Sequence, residues 1–175
     1  MKSKTIILFI IFAVGITLAF LVIQRQYSPK ILTIGNAVPD IELVDTNQKK
    51  HSITEFNGSV IFINFWATWC EPCIDELPSI EILFRRFSKN PQFKVITVLF
   101  KDDLQNALTY MKKNGYTFPV YLNPDGMAAK KFGITGVPET FVIDKRGFLR
   151  YKWIGPEQWD TPIITEMFDN LINEE

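Results

Sequence analysis

The sequence predicts an α/β domain, a mixed central sheet flanked by helices, joined by a polar tether to one N-terminal transmembrane helix. Three observations predict it. Two β-rich apolar runs, Ser59–Trp66 and Phe93–Phe100, each lead into a segment with apolar residues at helical spacing. Farther on, Thr140–Asp144 and Leu149–Ile154 alternate around Lys145-Arg146-Gly147, and an amphipathic stretch follows. Ahead of all this, residues 5–23 carry no charge.

Size and charge narrow the classes. At 175 residues, 47% hydrophobic and 14% aromatic, the chain suffices for one domain with a core plus an appendage, and not for two domains. Lys plus Arg (19) equals Asp plus Glu (19), so the basic footprint of a nucleic-acid binder is missing. Without Lys2, Lys4 and Arg25 of the first 27 residues the remainder is acidic, which favours solubility and names no partner.

The N-terminal run, TIILFIIFAVGITLAFLVI, extends from Thr5 to Ile23. As a helix it spans about 29 Å, the thickness of a bilayer core. Lys2 and Lys4 precede it and every acidic residue lies beyond position 39, so the positive-inside tendency leaves residues 1–4 cytoplasmic and the domain outside. A cleaved signal peptide shares the charged start and apolar middle. The run is longer than a usual signal core, however, and no small-x-small site precedes Gln24-Arg25-Gln26, which favours an uncleaved anchor. Residues 24–37, with Ser28-Pro29 and Gly35-Asn36 as breakers, read as the tether, and residues 38–175 as the folded domain.

Within that domain, Ile41–Val44 and His51–Ile53 form a hairpin around Asp45-Thr46-Asn47-Gln48, an N-terminal extension of the sheet. Ser59–Trp66 is a strand buried on both faces. A helix follows from Cys70 or Glu71 to Ser88, with Pro72 in its first turn, where the missing N–H costs nothing, and Pro78 inside it as a kink. Phe93–Phe100 is the second buried strand. Asp102 or Asp103 caps a helix that runs to Lys113 and stops at Asn114-Gly115. A short strand at Phe118–Leu122, a turn at Asn123-Pro124-Asp125-Gly126 and a short helix at Met127–Phe132 lead to the last hairpin and a helix over Glu157–Ile172.

The chemistry rests on two cysteines, Cys70 and Cys73. Closing so short a loop gains little entropy, so a structural staple is a poor explanation. Zinc needs about four ligands, and this pair with the distant His51 does not supply them. Haem attachment needs His after the second Cys, and Ile74 stands there. A redox pair remains. At a helix start the dipole and the unpaired N–H groups favour a thiolate, so Cys70 is the attacking thiol and Cys73, one turn in, resolves the mixed disulfide. Glu71 between them either opposes thiolate formation, making the pair more reducing, or is a solvated surface charge.

The run Asn64-Phe65-Trp66-Ala67-Thr68-Trp69-Cys70-Glu71-Pro72-Cys73, with Glu76 beyond it and Gly136-Val137-Pro138-Glu139-Thr140-Phe141 downstream, resembles the TlpA-like family of extracytoplasmic thioredoxins. Within that family it is most similar to the cytochrome c maturation reductases CcmG or DsbE, with ResA as a near relative. Lys101-Asp102-Asp103 is CcmG-like too, and equally reads as a helix cap. The resemblance covers Val38 to the C-terminus and implies a thioredoxin-like fold.

It also implies that Pro138 is cis and lies against the Cys pair, leaving the Val137 backbone free to pair with an extended peptide, so that Trp69, Pro72, Val137 and Pro138 form the docking rim. Glu139, and with it Glu76, is implied to set the thiol pKa values and to move protons; the alternative for each is an ordinary surface carboxylate. Where thioredoxins carry a buried Asp, this chain has Asn64, which does not titrate, so proton transfer at Cys73 falls to water, Glu76 or Glu139. Trp66 reads as core.

The implied activity is thiol–disulfide exchange. A CcdA- or DsbD-like membrane donor reduces the pair, which in turn reduces the Cys-x-x-Cys-His disulfide of apocytochrome c, the protein acting as an anchored monomer without a cofactor. A general extracytoplasmic disulfide reductase or oxidase, and a non-catalytic docking module of cytochrome c assembly, are the alternatives. A peroxidase is disfavoured because Ala67 stands where peroxiredoxins place Thr.

Overall fold

The computed structural model describes residues 2–26 and 32–174, in two units divided at residues 30 and 31. The first holds α1 (Lys2–Gln26), whose described side chains, those of residues 6–22, are exposed all round. Among the described residues no helix is long and apolar enough to cross a membrane. Of the expected tether, residues 27–31 lie outside the described residues.

The second unit is built on a seven-stranded sheet of order β2-β1-β5-β4-β3-β6-β7. Its centre is β3 (Val60–Trp66) and β4 (Phe93–Leu99), parallel in register from Val60↔Phe93 to Trp66↔Leu99. Every residue of β3 is buried, as an apolar run covered on both faces must be. On one side β6 (Glu139–Ile143) pairs antiparallel with β3, and β7 (Leu149–Ile154) completes a hairpin with it. On the other, β5 (Val120–Leu122) joins β4, and the expected hairpin, β1 (Glu42–Asp45) with β2 (Lys50–Ser52), adds to the edge of β5. His51 on β2 stacks near Phe56 and sits between Glu55 (2.5 Å) and Asp45 (3.3 Å), so the single histidine is committed to this hairpin.

One sheet face is covered by α2 (Glu71–Phe87), α3 (Leu104–Asn114) and α5 (Pro162–Asn173), where Phe62, Trp159 and Phe168 meet edge to face. Burying each such ring contributes roughly 1.5–3 kcal/mol. The opposite face packs Phe65 and Phe141 against Phe132 of α4 (Met127–Phe132).

Several boundaries differ from the sequence reading: the short strands shift by one or two residues, to Glu42–Asp45, Lys50–Ser52 and Val120–Leu122. The folded unit starts before Val38: Leu32 is buried, Gly35 N–H donates to Leu149 O (2.7 Å), and Ala37 bridges to Phe148. The last helix starts at Pro162, not Glu157, because the N–H groups of Glu157 and Trp159 are committed to side chains of α2. A 3-10 turn, Ile53–Phe56, follows β2.

Asp103 caps α3, accepting from the N–H groups of Gln105 (2.8 Å) and Asn106 (3.1 Å), and Gly115 closes the helix in the left-handed conformation. Asp103→Ala is therefore expected to destabilise the domain by about 1 kcal/mol, seen as a lower urea midpoint at unchanged slope.

Candidate active site

β3 ends at Trp66, and the chain turns through Ala67-Thr68-Trp69 into α2. Cys70 is the N-cap of that helix, with extended backbone, and its Sγ accepts from the Cys73 N–H at 3.2 Å. The two are joined as a disulfide. Cys73, one turn inside, is fully buried, whereas Cys70 keeps 5% of its surface exposed. The small exposed part is on the sulfur-bearing residue that the helix N-terminus polarises, which suits it to be attacked and to attack.

The turn before Cys70 is braced from the loop that follows β4. Thr68 N–H donates to Asp102 Oδ2 (2.5 Å), and the Trp69 indole N–H donates to Lys101 O (3.1 Å). Lys101 adopts a left-handed backbone (φ 51°), which a non-glycine residue takes only where surrounding contacts hold it. Thus Asp103 is the cap and Asp102 is a brace, a division of labour that the adjacent acidic pair does not disclose. Trp69 is 60% exposed beside the disulfide, while Trp66 is fully buried against Phe118.

The Val137-Pro138 peptide is cis. Val137 O lies 3.4 Å from Cys70 Sγ, Pro138 is buried and Val137 half-buried. Glu139 shapes this loop from behind. Its Oε1 accepts from Thr135 N–H (2.9 Å) and Gly136 N–H (3.3 Å), and Lys152 Nζ lies 2.9 Å from its otherwise unpartnered Oε2.

Glu76 and Glu139 are not brought together. Thr140 meets Asn64 and hence the α2 face, so by strand alternation Glu139 and Phe141 point to the α4 face. Glu76 instead follows Cys73 by three residues on α2, one helical turn on and on the same side. It is 2% exposed, and its carboxylate accepts from Asn64 Nδ2 (2.7 Å), Glu157 N–H (3.1 Å) and Trp159 Nε1 (3.1 Å). Burial pushes its pKa up to about 7 despite those three donors, with the Glu157 charge adding to the rise. A carboxyl poised there exchanges protons at neutral pH. The donors from Glu157 and Trp159 come from the irregular segment ahead of α5, whose sequence spacing reads as helix. Glu71 is exposed on the first turn and Pro72 stands beside it at the helix start.

The arrangement is therefore a dithiol/disulfide couple at a helix N-terminus, faced by a backbone carbonyl and backed by a titrating acid. The AhpC/TSA family profile matches residues 34–152. The thiol-disulfide oxidoreductase ResA of Bacillus subtilis (strain 168) is 31% identical over 142 residues, covering 81% of this chain and 77% of that protein. The thiol:disulfide interchange protein DsbE of Haemophilus influenzae is 27% identical over 187 residues, covering the whole of both chains. Among solved structures, a thiol:disulfide interchange protein of the thioredoxin family from Chlorobium tepidum matches with a TM-score of 0.67 and 25% identity, over 79% of this chain and 97% of that one. The chain belongs to the AhpC/TSA family, has its thioredoxin-like fold, and is a thiol–disulfide oxidoreductase of the ResA and DsbE type that works through Cys70 and Cys73.

Proposed function

We propose that this protein is a membrane-anchored extracytoplasmic dithiol reductase that reduces the Cys-x-x-Cys-His disulfide of apocytochrome c before haem is attached. Cys70 attacks the substrate disulfide and Cys73 resolves the mixed disulfide. Glu76 takes the Cys73 proton, and Glu139 acts on the pair through the loop whose amides it binds. Trp69, Pro72, Val137 and Pro138 form the rim against which an extended substrate segment lies, and Glu71 moderates the charge at Cys70. A CcdA- or DsbD-like membrane protein returns the pair to the dithiol form, and the protein acts as a monomer without a further cofactor.

The observation that carries this reading is the buried Glu76 one turn beyond Cys73, with a pKa of about 7. Reduction of a substrate requires the resolving thiol to lose its proton, and a buried acid one helical turn away supports the reading of Glu76 as its acceptor. The names of the relatives ResA and DsbE support the reductant class. The anchor is supported by the uncharged run 5–23 behind Lys2 and Lys4.

The reduced full chain is expected to reduce a synthetic disulfide peptide containing Cys-x-x-Cys-His faster than one whose His is replaced, and to have a potential well below that of periplasmic oxidants. A value around −120 mV would instead mark an oxidase. Equal rates on the two peptides would point to a general disulfide reductase.

A further inference from the structure

Glu76 must be accommodated in two states, charged and neutral, and its hydrogen bonds dictate where the proton goes. Oε2 accepts from Glu157 N–H and Trp159 Nε1, groups that can only donate. Oε2 therefore stays an acceptor, and the proton of the neutral acid belongs on Oε1. There it meets Asn64 Nδ2, which donates to Oε1 at 2.7 Å and to Thr140 Oγ1 at 2.8 Å. A protonated Oε1 facing an N–H sets donor against donor. Yet Asn64 Oδ1 is buried without a partner among the described residues, in a fully buried side chain. Such an orphaned acceptor costs about as much as a lost hydrogen bond and calls for an explanation, which a second state that uses it supplies.

We propose that Asn64, with Thr140, is a reversible hydrogen-bond relay: its amide donates to the Glu76 carboxylate and, after a half-turn, accepts from the Glu76 carboxylic acid. The inference rests on the reading of Glu76 as proton acceptor for Cys73. With Glu76 charged, the two Nδ2 hydrogens go to Glu76 Oε1 and Thr140 Oγ1. With Glu76 neutral, Oε1–H and the Thr140 hydroxyl both donate to Oδ1. A hydroxyl serves as donor or acceptor, so Thr140 reverses with the amide. Two hydrogen bonds exist in either state, all at the end of the amide that faces Glu76 and Thr140; the other end, Oδ1 in the charged state and Nδ2 in the neutral one, has no partner among the described residues, and the only proton gained or lost is the one on Glu76.

The amide ends are nearly equal in shape, so the half-turn needs no repacking of the core around them. An Asp at this position would add a second buried charge, and an apolar residue would leave Oε1 without a partner in both states. Asn64 is thus a positioning residue that acts through Glu76. The titratable groups facing Glu76 are Cys73 on its own helix and, around an adjoining cavity of about 240 Å³, Asp75 and Glu157. Both states are populated near neutral pH, because burial raises the Glu76 pKa to about 7.

The relay is tested in the oxidised full chain, where the cysteines do not titrate, by following the isotope-labelled Asn64 amide and Glu76 carboxyl resonances from about pH 5 to about pH 9. The Asn64 amide protons are expected to lose their hydrogen-bonded shift on acidification, with the same midpoint as Glu76. An amide signal that stays fixed while Glu76 titrates overturns the relay and leaves the proton-acceptor reading standing. A Glu76 that does not titrate in this window overturns both. Asn64→Leu supplies a second measurement. Because both states lose a bond, the Glu76 midpoint is expected to change by less than about tenfold in proton affinity. A larger rise means that Asn64 serves only the charged form, and the relay is wrong.

Discussion

Replacing Cys70 by Ser is expected to abolish disulfide reduction to the uncatalysed background, whereas Cys73→Ser is expected to keep the first step and stall there, as a covalent enzyme–substrate disulfide. The asymmetry follows from their places at one helix terminus. Cys70 is the N-cap, retains surface exposure, and its sulfur receives the Cys73 N–H, an interaction that strengthens when the sulfur is a thiolate. Cys73 is fully buried behind it and meets a substrate only through Cys70. A Ser at position 70 offers a hydroxyl, which does not exchange with a disulfide. A Ser at position 73 leaves attack intact and removes only the thiol that releases the product. Non-reducing gels of the Cys73→Ser chain incubated with oxidised substrate read the trapped adduct. A Cys70→Ser chain that still turned over, or a Cys73→Ser chain that formed no adduct, would reverse the assigned roles.

Much of this is legible in the sequence because it is local. A run such as Val60–Trp66 is apolar at nearly every position only if both faces are covered, and the structure buries all of it. Cys-x-x-Cys after that strand already implies a helix N-terminus, since Pro72 suits a first turn. What stays hidden depends on pairings distant in sequence. Residues 32–37 look like a breaker-rich tether, yet their backbone is hydrogen-bonded along β7. The segment 157–161 has helical spacing, but Glu157 and Trp159 spend their donors on Glu76 and Ser79, so the helix waits for Pro162. Glu76 and Glu139 look alike as carboxylates near the motifs. Strand alternation places Glu139 on the far face of the sheet with Lys152, while Glu76 lies on α2 one helical turn beyond Cys73. Asn64, notable in the sequence only because it cannot titrate, is the neighbour that Glu76 meets on Oε1.

Glu76→Gln is expected to stabilise the oxidised protein at alkaline pH by up to about 3 kcal/mol while slowing disulfide reduction roughly 100-fold. The sign follows from linkage. The unfolded carboxyl titrates at its ordinary value of 4.5 and the folded one at about 7. Below 4.5 both states are protonated and the full stability is present. Between 4.5 and 7 the folded state holds the proton more tightly, so stability falls as pH rises, and above 7 the loss is complete. A tenfold difference in proton affinity between the folded and unfolded states corresponds to about 1.4 kcal/mol, which sets the scale of the loss.

Gln is neutral throughout and is the nearest mimic of the protonated acid. Its oxygen can keep the donors from Glu157 and Trp159, and its N–H groups then point at Asn64, which fits only if the Asn64 amide presents Oδ1. Wild type and variant should therefore converge in stability at acidic pH and separate steadily toward neutral and alkaline pH, measured by urea unfolding of the oxidised chains. The reduction rate of the variant should lose its step near neutral pH, because Gln does not titrate and the Cys73 proton then leaves by the slower route through water. Stability curves that run parallel from acid to alkali would mean that Glu76 does not titrate in the folded protein. A residue that costs stability in its working state and speeds the chemistry is retained for the chemistry, and the pH at which the two curves part reads the pKa on which that argument depends.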